Sequence, residues 1–206
     1  MDFRDVYRTL EKNRYFVFSH DDLLLFYPKY RKEHLKKLLH RWKRQGWIHS
    51  LKRGLYELSY PRDFAIPDLY VANRLYEPSY CSLETALSHY SIIPEISMAV
   101  TSITTKPTRK FRNEHGLFVY HTVKPDAFAG YCIEKHQGFE IRIAEPEKAL
   151  TDYLYFRVQQ SRQVRLEDVR LDIDLVRRMN KRKLNRYAGW YNMDWGKCYG
   201  HIRDLD

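Results

Sequence analysis

The sequence has few cysteines and no long hydrophobic run. Only three of its 206 residues are cysteines, and they lie far apart without a CxxC pair, so no disulfide framework is predicted. It contains no stretch of about 18 consecutive apolar residues, which a membrane span would require. The first residues are charged throughout and lack the apolar region of a signal peptide. We therefore expect a cytoplasmic protein with reduced cysteines.

The motifs of several enzyme classes are also missing. There is no glycine-rich phosphate loop, no Gly-x-Ser-x-Gly elbow and no HExxH helix. The nearest approach to a zinc pattern is Cys132 with His136, which has no second pair. Residues 124–148 hold the carboxylates that a nuclease metal site needs, but Glu134 is followed directly by Lys135, so the spacing fails. We predict no catalytic residues, metal or cofactor, and a nucleic-acid enzyme is the least favoured hypothesis.

Acidic residues are scarce in one short segment of a basic chain. Residues 29–53 carry ten cations and one acid, Glu33, for a net charge of +9, whereas the whole chain has +10. Solvated faces normally mix both signs of charge, and this segment does not. A concentrated basic patch on a globular protein is typical of one that binds a polyanion.

The same segment has the pattern of a helix followed by a hairpin. Four apolar residues recur at helical spacing within residues 31–45, which forces the cations onto the other faces. Gly46 follows the last apolar position, where helices commonly end. Residues 47–51 and 55–58 then read as two strands around a basic turn, residues 52–54. The apolar positions are Leu35, Leu38, Leu39 and Trp42.

The preceding residues complete a winged helix–turn–helix over residues 1–60. Asp2 is placed to cap a first helix, residues 15–18 form a short strand, and Ser19 caps a second helix that Pro28 closes. The alternative is a three-helix bundle whose basic helix contacts nothing. The DNA-binding interpretation is favoured because the hairpin tip is basic as well as the helix. The predicted DNA-binding residues are Lys29, Arg31, Lys32, Lys36, Lys37, His40, Arg41, Arg44, Lys52 and Arg53.

The remaining residues, 61–206, predict a second domain of mixed α/β character with C-terminal helices, so the fold class is α+β. Pro61 and Pro67 suggest a hinge. Helical patterns follow at 70–75 and 83–90, the latter capped by Ser82, and again from Pro146 and over 166–180. Strand patterns cover 97–105, 117–122 and 139–144. The basic, aromatic tail from Lys181 suits single-stranded nucleic acid, but packing on the core is the favoured interpretation.

Three stretches of this second domain resemble signatures of the AbiEi-type antitoxins of abortive-infection, type IV toxin–antitoxin systems. They are SLETALSHYSIIPE (82–95), TSITTKPTRKFRNEHGLFVYH (101–121) and IAEPEKALTDYLY (143–155). LKRGLYEL (51–58) also resembles the wing of that family, and the matches keep the family's order. Ser91 stands where many members have glycine, so its helix is expected to end by another route, and Thr151 replaces a usual apolar residue.

The resemblance implies a phage-defence antitoxin and transcriptional regulator. Its winged helix would repress its own operon at inverted repeats in double-stranded DNA. Its second domain would neutralise a nucleotidyltransferase-like toxin without forming a stable complex. A plain winged-helix regulator with a ligand-sensing or dimerisation domain and no toxin is the alternative. The residues that carry the resemblance are Ser82, Leu83, Ala86, Leu87, Pro94, Glu95, Glu147, Lys148 and Asp152.

Overall fold

A computed structural model describes residues 1–59, 65–95, 97–160 and 170–194 as a mixed α+β fold with two sheets. The α-helices in these ranges are Phe3–Lys12 (α1), His20–Phe26 (α2), Lys32–Arg44 (α3), Asp68–Leu75 (α4), Leu83–His89 (α5), Pro146–Gln160 (α6), Ile173–Arg178 (α7) and Lys181–Trp190 (α8). The strands are Val17–Ser19 (β1), Ile48–Lys52 (β2), Leu55–Leu58 (β3), Ser79–Cys81 (β4), Ala99–Thr104 (β5), Arg109–Asn113 (β6), Gly116–Thr122 (β7), Tyr131–His136 (β8) and Phe139–Ala144 (β9). Among the described helices, none combines the length and apolar character needed to cross a bilayer.

The N-terminal unit, residues 1–59, consists of α1, α2, α3 and an antiparallel sheet with the strand order β1-β3-β2. Ser19 caps α2 as predicted: its hydroxyl accepts from the backbone N–H of Asp22, whose carboxylate accepts from the N–H of Ser19. Asp2 occupies the position before α1, but its side chain makes no capping hydrogen bond. The local order and ends of these elements agree with the sequence pattern to within two residues.

The basic helix α3 ends at a glycine, as predicted. Gly46 has φ +72°, and the backbone N–H of Trp47 reaches back to the carbonyl of Trp42 at 3.0 Å. Glycine adopts this left-handed conformation without the steric cost that a Cβ would add. The turn of the hairpin is shorter than predicted. Lys52 pairs with Leu55 as part of β2, so the loop contains only Arg53 and Gly54.

The second sheet has six strands in the order β6-β7-β5-β4-β9-β8. Parallel pairing joins β5 to β7 and β4 to β9, and the other neighbours are antiparallel. Helices α4 and α5 pack on this sheet, α6 packs against α5, and α8 packs against α6. The predicted strands are confirmed as β5, β7 and β9, but β4, β6 and β8 were not predicted.

The predicted C-terminal helix over 166–180 is confirmed in part by α7, which buries Val176, while Leu166 and Val169 lie outside the described residues. Helix α7 begins only at Ile173, after three residues without helical structure. The reason is that Asp172 is fixed as a cap: its carboxylate accepts from the N–H of Leu175, and its own N–H donates to Ile92. The tail from Lys181 packs on the core as expected, since Tyr187 is buried; Trp195 is not among the described residues.

Close contacts join the two units. The rings of Phe16 and Phe139 meet at 5.2 Å, the guanidinium of Arg14 donates to the carbonyl of Gly138 at 2.5 Å, and the hydroxyl of Tyr70 donates to the carbonyl of Arg14 at 3.1 Å. Of the predicted hinge, residues 61–64 fall outside the described ranges, while Ile66 and Pro67 are buried. The boundary near residue 60 stays a prediction, but the units contact each other through these side chains.

Candidate nucleic-acid interface

Helix α3 has one buried face and one cationic face. Leu35, Leu38, Leu39 and Trp42 are at most 7% exposed, which confirms the predicted apolar stripe. Their burial against the rest of the N-terminal unit fixes the rotation of the helix, so the remaining positions face solvent. The exposed predicted residues are Lys29, Arg31, Lys32, Lys36, Lys37, His40, Arg41, Arg44 and Arg53.

Most of these cations form no ion pair with the residues that the structure describes. Lys32 pairs with Asp21 at 3.2 Å, but both side chains are largely exposed, so the pair is weak. Within the described ranges, Lys36, Lys37 and Arg41 form no ion pair. A row of solvated, unpaired cations on a rigid helix can bind phosphate oxygens or the acceptor edges of bases.

Lys52 differs from the other predicted residues because it contacts the second unit. Its ammonium lies 5.9 Å from the ring centre of Tyr76 and 5.4 Å from that of Phe111. Partial burial lowers its pKa, and the nearby charges of Lys106 and Arg109 lower it further. Arg53, the next residue, remains exposed at the tip of the hairpin.

A histidine ties the hairpin to the second unit. His115 lies in the turn between β6 and β7, and its Nε2 is 2.6 Å from Glu57 of β3 while its Nδ1 is 2.8 Å from Asp68 of α4. The hydrogen bond to Asp68, and to a smaller extent the one to Glu57, raise the pKa of His115 to about 9, while burial opposes this shift. The protonated imidazole therefore bridges two carboxylates and holds the hairpin in a fixed position.

Residues from two of the family-like stretches meet in the interior of the second unit. Asp152 is fully buried; one carboxylate oxygen pairs with the ammonium of Lys148 and accepts from the hydroxyl of Tyr191 at 2.5 Å. The other oxygen accepts from Ser82 at 2.7 Å and from Tyr80 at 3.1 Å. We call these five residues the Asp152 network. It joins β4, α5, α6 and the end of α8.

Charge is stabilised in this network by pairing rather than by solvent. Burial lowers the pKa of Lys148, while Asp152 opposes that shift. Burial also raises the pKa of Tyr80 and of Tyr191, and the Asp152 carboxylate raises both further. The sequence stretches contained Ser82, Lys148 and Asp152, but Tyr80 and Tyr191 were missed because only the tertiary fold brings them to the carboxylate.

The other family-like residues divide between core and surface. Glu147 accepts from the backbone N–H of Asn180 at 3.0 Å and so positions the start of α8. Ser82 was expected to cap α5, but its hydroxyl donates to Asp152 instead and makes no capping bond. Pro94 and Glu95 are exposed. The apolar members Leu83, Ala86 and Leu87 are buried in the core.

The two departures from the family pattern are both accommodated. The expectation that α5 ends by another route is wrong, because Ser91 itself adopts the left-handed conformation with φ +58°. The N–H of Ile92 then donates to Leu87 at 2.8 Å, the same closure that Gly46 gives α3. Thr151 is buried, and its hydroxyl donates to the carbonyl of Glu147 at 2.7 Å, so this buried hydroxyl has a hydrogen-bond partner.

The acid-rich stretch forms structural contacts. Glu134 accepts from the hydroxyl of Tyr90 at 2.7 Å and lies 3.2 Å from His89, and Cys132 donates to it at 3.4 Å. Glu145 accepts from Tyr187 at 2.5 Å. Across the residues that the structure describes, no three His, Cys, Asp or Glu side chains are arranged to hold a metal ion.

Comparison with known proteins adds no family assignment. No protein-family model matches the chain, and a search of curated proteins finds no significant match. The likeness to AbiEi-type antitoxins therefore rests on the quoted motifs alone.

Proposed function

We propose that the chain is a DNA-binding regulator whose N-terminal unit is a winged helix–turn–helix. The observation that carries this proposal is the one-sided cationic surface of α3, exposed beside a basic hairpin and anchored by a buried apolar stripe. The order α1, β1, α2, α3, β2, β3, with β1 paired to β3, supports it. In that fold the third helix enters the major groove and the β2–β3 hairpin contacts the adjacent backbone.

The N-terminal half of α3 would contact the bases. This end reaches base edges in helix–turn–helix docking, and it carries the exposed side chains of Lys32, Lys36 and Lys37. The predicted partner is a double-stranded operator with inverted repeats.

For the second unit we propose an antitoxin role in the cytoplasm, directed at a nucleotidyltransferase-like toxin. This part rests on the three family-like stretches. The Asp152 network supports this proposal because it joins Ser82 of the first stretch to Lys148 and Asp152 of the third. The alternative, a regulator without a toxin, would retain every property of the N-terminal unit.

A mobility-shift titration of the full chain on the DNA upstream of its own gene tests the DNA-binding part. Lys36→Ala with Lys37→Ala should weaken binding and reduce its salt dependence by about 1 unit of slope per lost phosphate contact. Lys181→Ala with Arg182→Ala, which removes the same charge from the exposed surface of α8, is the matched control. Equal affinity of the two double variants would refute the placement on α3.

Growth rescue tests the antitoxin part with the same variants. The full chain carrying Lys36→Ala and Lys37→Ala should lose repression of a promoter reporter but still rescue cells that express an adjoining nucleotidyltransferase-like gene. Full-length variants are preferable to fragments because the two units share buried contacts. If the unmodified chain represses the reporter but does not rescue growth, the regulator without a toxin is the better description.

A further inference from the structure

A second group of cations lies beside the hairpin and belongs to the other unit. Residues 101–113 contain four cations and no acid, although residues 54–160 as a whole have a net charge of −2. Three of these cations, Arg109, Lys110 and Arg112, lie on β6, which is an edge strand of the six-stranded sheet. The fourth, Lys106, lies just before it. All four are exposed.

Two of these cations share aromatic rings with Lys52 of the hairpin. Lys106 lies 5.4 Å from the ring centre of Tyr76, and Arg109 lies 5.5 Å from that of Phe111, the two rings that Lys52 also contacts. We call Lys52, Lys106 and Arg109 with these rings the hairpin–strand cluster. It is held together where the side-chain amide of Asn113 donates to the carbonyl of Leu51 at 3.3 Å.

The cluster has an unbalanced positive charge. Burial lowers the pKa of Lys52, the like charges of Lys106 and Arg109 lower it further, and the carboxylate of Glu77 opposes these effects. Glu77 is already bound to Arg74 at 3.1 Å and to Arg142 at 2.9 Å. In the described parts of the chain, neither Lys106 nor Arg109 forms an ion pair. An anion bound here would relieve the repulsion.

We propose that the hairpin–strand cluster binds the phosphate backbone of duplex DNA beside the base pairs that α3 contacts, so that both units form the DNA-binding surface. This inference rests on the proposed function, because the cluster is continuous with the hairpin of the winged helix–turn–helix. Duplex backbone is favoured over single strands, for which bases would need free aromatic faces. Tyr76 instead packs against Phe111 and Tyr120, with cations over the rings.

The test is the salt dependence of binding by the full chain to a fluorescein-labelled duplex of random sequence, measured by anisotropy. The slope of log affinity against log salt changes by about 0.9 for each phosphate contact. Lys106→Gln with Arg109→Gln should therefore reduce the slope by about 1.8. Lys181→Gln with Arg182→Gln removes the same charge from α8 and should leave the slope unchanged. Thermal unfolding verifies that both variants fold.

The outcomes separate this inference from the proposed function. If Lys36→Ala with Lys37→Ala lowers affinity but Lys106→Gln with Arg109→Gln behaves like the control, the inference is wrong and the proposed function stands. If the unmodified chain does not bind the duplex even at low salt, both are wrong. Tighter binding to a single-stranded RNA of equal length, abolished by Phe111→Ala, would overturn the duplex assignment.

Discussion

Replacing Asp152 with asparagine should reveal how strongly the buried network stabilises the second unit. The change keeps the size of the side chain but removes the carboxylate that pairs with the ammonium of Lys148. Both side chains are 0% exposed, so water cannot replace the lost partner. Breaking a buried ion pair by removing one member typically costs about 3–5 kcal/mol. We expect the free energy of unfolding to fall by an amount in this range, because the asparagine amide would also replace a carboxylate that accepts from the hydroxyls of Tyr80, Ser82 and Tyr191.

The measurement is urea unfolding of the full chain, followed by circular dichroism. Asp21→Asn is the matched control, because its ion pair with Lys32 is exposed and exposed pairs contribute about 0–1 kcal/mol. Adding Lys148→Met to Asp152→Asn removes the stranded cation and should recover part of the loss. This double variant also keeps the test possible if Asp152→Asn alone does not fold.

Raising the pH provides an independent readout for the asparagine variant. Without Asp152, the two effects that oppose the burial-induced lowering of the Lys148 pKa disappear. The unfolded state would then bind more protons than the folded state, so the stability of the variant should rise with pH up to the ordinary lysine pKa. A cost below about 1 kcal/mol, or no rescue by Lys148→Met, would refute the reasoning.

Three further changes test other parts of the structure. His115 has a folded pKa of about 9, so its contribution to stability should be complete below the unfolded pKa of about 6.5 and should disappear as the pH rises through 9. His115→Gln should therefore flatten this part of the plot of urea midpoint against pH. An unchanged plot would contradict the bridge between the two carboxylates. Ser91→Gly should stabilise the protein by about 1 kcal/mol, because glycine adopts the left-handed backbone conformation without the steric cost of a Cβ, while Gly46→Ser should destabilise it by a similar amount. If the two variants shift the melting temperature in the same direction, this expectation is contradicted. Leu39→Ala, at a position 1% exposed, should cost about 2–5 kcal/mol in urea unfolding, and a loss below 1 would contradict its packing.

The N-terminal elements could be predicted because their signals are local. The apolar spacing of α3 predicted its buried face, Gly46 predicted its end, and Ser19 was correctly predicted to cap α2. Each of these features depends on residues no more than a few positions apart. Whether the resulting surface binds DNA stays a prediction, since exposure and charge define a surface without showing its partner.

The missed strands show where local patterns were insufficient. Strand β6, with the sequence RKFRN, has one apolar residue and lies at a sheet edge, so it lacks the hydrophobic alternation of a half-buried strand. Strand β4 spans only three residues and is recognisable only from its pairing with β5 and β9. Charge counting missed the cations of 101–113 because they were averaged with the acids of the longer segment 54–160.

The burial of the family-like residues limits how they can act on a partner. Seven of the nine are buried, and only Pro94 and Glu95 are exposed. Most of these side chains are therefore inaccessible to a toxin. Substituting a buried residue such as Asp152 would affect neutralisation by destabilising the fold of the second unit. Loss of rescue in an Asp152 variant would show only that the second unit must be folded. Residues through which the second unit would act should be sought among exposed positions whose substitution leaves the urea midpoint unchanged, and Glu95 is an exposed candidate for that test.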